Sequence, residues 1–134
     1  MNIFIDTSAI FAVLDNRDRN HATAARIWQR IITAGDVILC HNYILVEVSA
    51  LLQHRLGLEA VRTFEEDIVP LLNVLWIDEQ THRSAVSALL VASRRSLSLV
   101  DCVSFAIMRA AAIKTAFVFD ADFKAQGFDI LDRG

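Results

Sequence analysis

Asn2-Ile3-Phe4-Ile5-Asp6-Thr7-Ser8 is the stretch on which the fold turns. A short apolar run that stops on an acid reads as a buried strand. Asp6, Thr7 and Ser8 are residues that cap helices, so a small helix over 9–14 is expected next. Near the other end, Ala116-Phe117-Val118-Phe119 is a second apolar run, ended abruptly by Asp120-Ala121-Asp122. Between these two runs, strand-like and helix-like segments alternate.

Working outward, 15–20 is polar and reads as a loop. Ala24, Ile27, Trp28 and Ile31 fall at i, i+3, i+4 and i+7, the apolar face of a helix that ends near Gly35. A strand over 37–40 follows. Asn42 is placed to cap the next helix, whose stripe is Ile44, Val48, Leu51 and Leu52. Another helix over 58–68 is expected to end before Pro70. The run 73–77 predicts the third strand, and His82, Ala85, Val86, Leu89 and Leu90 predict a helix to about Arg95. Ser98-Leu99-Val100-Asp101 has the spacing of a capping box and opens a helix to about Ala112. A strand over 116–119 and a short one over 129–131 complete the order. Alternation of this kind argues for an α/β fold with a mainly parallel sheet covered on both faces. Trp28 and Trp76 occupy apolar positions and are expected in the core, leaving no platform for stacking nucleic-acid bases.

Composition bounds the function. The 134 residues are 54% hydrophobic and 22% charged, with one Pro and four Gly, which excludes disorder and low-complexity chains. One domain over 1–134 is expected. The balance of 13 basic against 16 acidic residues gives a net charge of −3, so the basic footprint of a general nucleic-acid binder is absent. Cys40 and Cys102 sit in apolar runs without metal spacing and read as small buried hydrophobes. The start of the chain lacks a basic region and meets an acid at position 6, and no apolar run approaches the ~20 residues of a membrane span. A soluble cytoplasmic protein is the expectation.

Four acids lie where charge is costly. Asp6 and Asp120 end buried strands, with Asp122 two residues beyond, while Glu47 and Asp101 interrupt apolar runs. Both strand-ending acids face the carboxyl edge of a parallel sheet, where ligands bind, and helices that begin at that edge favour anions. Helix capping accounts for Asp6 or Asp101 singly, and a turn for Asp120. Together, carboxylates brought this close repel unless a divalent cation neutralises them, and hard oxygen ligands suit Mg²⁺ or Mn²⁺. No Ser-His-Asp or Cys-His set is present, and His21, His41, His54 and His82 lack ligand spacing. Arg17, Arg19, Arg94 and Arg95 lie where they can reach phosphates of a bound substrate near that edge, though loop arginines are more often simply solvated.

The motifs Phe4-Ile5-Asp6-Thr7-Ser8, Val46-Glu47-Val48, Leu97 to Ala106 around Asp101, and Ala116 to Phe123 resemble, as a set and in order, the PIN-domain ribonucleases. Within them the chain is most similar to the small toxins of VapBC-type toxin–antitoxin systems. The resemblance implies a three-layer α/β/α sandwich and endonucleolytic cleavage of RNA dependent on one or two Mg²⁺ or Mn²⁺ ions. It carries metal binding onto Asp6, Glu47, Asp101 and Asp120, with Asp122 replacing or supplementing Asp120. Thr7, and more weakly Ser104, take the position of hydroxyls that order the metal shell or a phosphate. It also implies a homodimer and an antitoxin whose tail fills an apolar groove. One departure is His41-Asn42-Tyr43 before the Glu47 helix, where relatives commonly carry Thr or Ser. Two other readings use the same acids: a non-catalytic interaction module in which they only cap helices, and a housekeeping RNA-processing nuclease. A phosphoacceptor receiver domain fits less well, because only Asp6 follows the first strand and Lys124 is poorly placed.

Overall fold

A computed structural model describes residues 1–133. In chain order the elements are β1 (Asn2–Ile5), α1 (Thr7–Leu14), α2 (His21–Ala34), β2 (Val37–His41), α3 (Asn42–Arg55) and α4 (Leu58–Thr63). A π-helical turn (Phe64–Ile68) and a 3₁₀ turn (Val69–Leu71) lead into β3 (Asn73–Leu75) and α5 (Glu79–Ala92). Then come α6 (Leu99–Ala110), β4 (Thr115–Phe117), α7 (Ala121–Ala125) and β5 (Asp129–Leu131). The five strands form one sheet in the order β3-β2-β1-β4-β5, and every pairing is parallel.

Chain direction sets the layers. From β1 to β2 to β3 the chain steps one way across the sheet, and from β3 it jumps back over β1 to β4 and β5. Right-handed crossovers therefore put α1 to α4 on one face and α5 to α7 on the other, and helix contacts follow this division, α1 with α2 and α3, α5 with α6. The central strands are buried on both faces, so Ile3, Phe4, Ile5, Ala116 and Phe117 are all at most 1% exposed. Phe105 and Phe123 pack edge to face at 4.9 Å on the α6–α7 side. Cys40 and Cys102 are buried free thiols, as composition implied, and burial pushes Cys40 up to about 12.

Several boundaries differ from the sequence reading, each for a local reason. The helix after Gly57 does not stop before Pro70. It loosens into the π turn and re-tightens with Pro70 inside the 3₁₀ turn, where no intrahelical N–H is required of it. The α5 helix ends at Ala92 because Ser93 turns left-handed at φ 54°, which leaves Arg94 and Arg95 in the loop. The third strand is three residues long, since its partner β2 ends at His41 opposite Leu75. Trp76 therefore leaves the sheet at its edge and is 75% exposed, contrary to the expected core position. Trp28 does pack against the core. Asn42 opens α3 without capping it. Its side chain instead accepts the Ile77 N–H at 2.7 Å, tying the end of β3 to the start of α3.

Candidate metal centre

In this order the sheet reverses direction between β1 and β4, and open α/β sheets bind ligands at that point, beyond the carboxyl ends of the strands. Asp6 follows β1 and Asp120 follows β4, one on each side of the reversal. Each acid also has a local structural task. Asp6 caps α1, its Oδ2 accepting from the Ser8 N–H at 3.1 Å and the Ser8 hydroxyl at 2.8 Å. Asp120 caps α7 by accepting from the Asp122 N–H at 2.8 Å. Asp101 completes a capping box with Ser98, donating its N–H to Ser98 Oγ at 3.0 Å and accepting the Ser98 N–H at 3.3 Å. Capping and convergence are thus not alternatives here, because the caps fix where the carboxylates stand.

One carboxylate oxygen from each of Asp101, Asp120 and Asp122 falls within 4.8 Å of the others. Asp6 and Glu47 stand outside this triplet but inside its field. Burial, with the charges of Asp101 and Glu47 adding to it, pushes the Asp6 carboxyl up to about 7 against the two Ser8 hydrogen bonds. Asp101 is also held above its ordinary value, first by burial, with Asp120 and Glu47 adding to the effect against the Ser98 bonds. Glu47 itself is half-buried on the second turn of α3. Five acids thus share one sheet edge, and the cost of ionising two of them together is what a divalent cation relieves. Hard carboxylate oxygens at this spacing fit such an ion.

Hydroxyl and arginine expectations divide. The Thr7 hydroxyl is buried with no hydrogen-bond partner among the described residues, and it is the neighbouring Ser8 that bonds Asp6. Ser8 Oγ donates to Asp6 and accepts the Phe119 N–H at 3.0 Å, so one side chain couples the two strands that carry Asp6 and Asp120. Ser104 donates to the Val100 carbonyl and meets His41 Nε2, both at 2.9 Å. Arg94 places its guanidinium 2.8 Å from Asp122 Oδ1 and feels the charges of Asp120 and Asp101 as well. Arg17 instead lies 3.6 Å from Asp15, and Arg19 and Arg95 form no ion pair among the described residues. Ser8 was legible as a hydroxyl beside the acid. The buried His41 carried no sequence signal beyond being an unusual residue before the Glu47 helix.

Comparison with known proteins agrees with this fold. The family model for the PIN domain matches residues 3–129. A curated relative from Mycobacterium tuberculosis, the 23S rRNA-specific endonuclease VapC20, is 34% identical over 127 residues, 94% of this chain and 95% of its own. The crystal structure of that toxin, described as cleaving the sarcin–ricin loop, superposes with a TM-score of 0.82 at 33% identity over 94% of this chain and 95% of that one. FitAcB from Neisseria gonorrhoeae (TM-score 0.69, 16% identity, 96% of both chains) and VapBC2 from Rickettsia felis (0.71, 10%, 97% of both) share the fold. A parallel 3-2-1-4-5 sheet, acids gathered at its reversal, and a match along nearly the whole chain lead to one conclusion: the chain belongs to the PIN-domain family.

Proposed function

We propose that this chain is a metal-dependent endoribonuclease, acting as one nuclease domain and serving as the toxin of a toxin–antitoxin pair. The observation that carries the reading is the convergence of Asp101, Asp120 and Asp122 within 4.8 Å beside the buried Asp6. Asp6, Asp101, Asp120 and Asp122, with Glu47, would hold Mg²⁺ or Mn²⁺. When bound, such an ion supplies an activated water and offsets charge on the phosphate. The chain's own groups do the positioning. Ser8 keeps one Asp6 oxygen fixed, Ser98 keeps Asp101 fixed, and Arg94 stands at the rim with a cation for a phosphate of the substrate. Arg17, Arg19 and Arg95 are exposed and extend the basic contacts only if RNA reaches their loops. The relative's action on 23S rRNA makes a structured ribosomal loop the first substrate to try.

An antitoxin partner is supported by neighbours solved as VapBC and FitAB assemblies. Exposed Val46, Leu90, Val91 and Trp76 supply apolar surface for a homodimer or for that partner. No helix of the described residues is long and apolar enough to cross a membrane, and an RNA substrate makes the cytoplasm the proposed place of action.

The test is cleavage of end-labelled ribosomal stem-loops by antitoxin-free protein in Mg²⁺, Mn²⁺ and EDTA, beside Asp6→Asn. Metal-dependent products with 5′-phosphate and 3′-hydroxyl ends, absent for the folded variant, support the reading. Cyclic 2′,3′-phosphate ends exclude it, and folding with partner binding but no metal response returns the chain to an interaction module.

A further inference from the structure

Three of the acids arrive on three separate elements: Asp6 after β1, Glu47 on α3 and Asp101 on α6. Their spacing must be set by whatever packs between those elements, and one fully buried polar side chain does so. His41 is the last residue of β2 and the N-cap residue of α3, six residues before Glu47, and it is 0% exposed. The parallel register that pairs Phe4 with Leu39 brings His41 level with Asp6 when continued. Its ring lies 5.8 Å from that of Phe4 and 5.8 Å, edge to face, from that of Tyr43.

Its polar contact points at the third element. His41 Nε2 is 2.9 Å from Ser104 Oγ, and Ser104 Oγ is 2.9 Å from the Val100 carbonyl, one residue before Asp101. A carbonyl only accepts, so the Ser104 proton is committed to Val100, and its oxygen must accept from His41. Nε2 therefore carries the imidazole proton. Nδ1 is left buried without a hydrogen-bond partner among the described residues. An unpaired acceptor in a core works against stability, so packing alone would favour a phenylalanine or leucine here. Burial also holds the ring neutral, pushing it down to about 4, so it adds no charge to the site.

We propose that His41 is a positioning residue of the metal centre: its Nε2–H bond to Ser104 locks the Asp101 turn of α6 against the β2–α3 corner that carries Glu47, beside Asp6. The proposal rests on the metal-nuclease reading and assigns a task to a residue outside the acid set. Groups bonded directly to a metal ligand are commonly worth about tenfold or more in metal affinity, and His41 acts further out, through Ser104 and the Val100 carbonyl.

The experiment titrates Mn²⁺ calorimetrically into wild type, His41→Phe, His41→Gln, Ser104→Ala and the His41→Phe/Ser104→Ala double variant, with thermal melts of each in EDTA. Phenylalanine keeps the ring packing and removes the donor, whereas glutamine restores an N–H. Weakening of up to about tenfold for His41→Phe and for Ser104→Ala is expected, with the double variant no weaker than either and His41→Gln recovering most of the loss. The EDTA melt of His41→Phe should not fall, and RNA cleavage should lose kcat with KM retained. If His41→Phe does not fold, Ser104→Ala, which deletes a single oxygen, carries the same comparison. Mn²⁺ affinity within about twofold of wild type in these variants, or losses that simply multiply in the double variant, overturns the proposal alone. Failure of the wild type to bind Mn²⁺ overturns the metal reading and this proposal with it.

Discussion

Replacing Asp6 by asparagine should make the metal-free protein more stable, and increasingly so as pH rises. The side chain is 5% exposed and its carboxyl titrates near 7 instead of 3.8. Between those two values the folded chain binds more protons than the unfolded chain, so stability falls as pH rises through the window. At ~1.36 kcal/mol per pK unit, the buried charge costs ~1.5 kcal/mol at pH 5 and ~4 kcal/mol at pH 8. Asparagine has the same shape, and its oxygen can accept both Ser8 bonds, at 3.1 and 2.8 Å. Urea titrations of both proteins in EDTA from pH 5 to 8 give the measurement, and the difference between them is the quantity to follow. His41 loses stability in the opposite sense, as pH falls from its ordinary 6.5 toward about 4, but it is present in both proteins and cancels. The variant should melt roughly 10 °C higher at pH 8, at ~3 °C per kcal/mol for a chain of this size. A difference that stays flat with pH, or a variant less stable at pH 8, refutes the assignment of Asp6 as a buried charge awaiting a cation.

Adding Mn²⁺ should reverse that order, raising the melting temperature of the wild type but not of Asp6→Asn, as scanning calorimetry at rising metal concentration will show. Ser98→Ala removes the hydroxyl that caps α6 and should cost ~1 kcal/mol in urea denaturation. It should also loosen Asp101, seen as weaker Mn²⁺ binding. Arg94→Ala breaks an exposed pair, so its melting temperature should not move. Its RNA binding, measured against salt with Asp6→Asn as background, should lose ~0.7 in the slope of log affinity on log salt if the guanidinium meets a phosphate. Phe123→Ala empties a site flanked by the rings of Phe4 at 6.2 Å and Phe105 at 4.9 Å, next to the Asp122 turn. A loss of ~3–5 kcal/mol is expected from chemical denaturation.

Much of this protein is written locally. Apolar runs that stop on acids mark β1 and β4, the 3.6-residue stripe of Ala24, Ile27 and Ile31 marks α2, and Ser98 with Asp101 announces the cap of α6. Those features depend on neighbours within a few residues, so a linear reading captures them. The same reading singles out Glu47 and Asp101 inside apolar runs and Asp6 and Asp120 at the ends of them, because a carboxylate in apolar company is costly whatever the fold, with Asp122 noted as the acid two residues on.

What the chain order leaves open is decided by which elements meet. Trp76 sits in a run of strand-like residues, yet pairing ends one residue earlier because β2 ends there, and an edge strand has no further neighbour to cover it. Thr7 and Ser8 are equivalent in sequence, but only Ser8 faces both Asp6 and the Phe119 N–H arriving from β4, 111 residues away. Arg94 differs from Arg95 only in that the turn at Ser93 carries its side chain onto Asp122. His41 becomes a link between β2 and α6 once the sheet buries it against Ser104, 63 residues on. Local pattern thus determined that carboxylates would be exceptional here. Only packing brought Asp101 within 4.8 Å of Asp120 and Asp122, about twenty residues further on, and set Asp6 in the field of Asp101, because the chain must cross from β3 over the sheet to β4 before those side chains can meet.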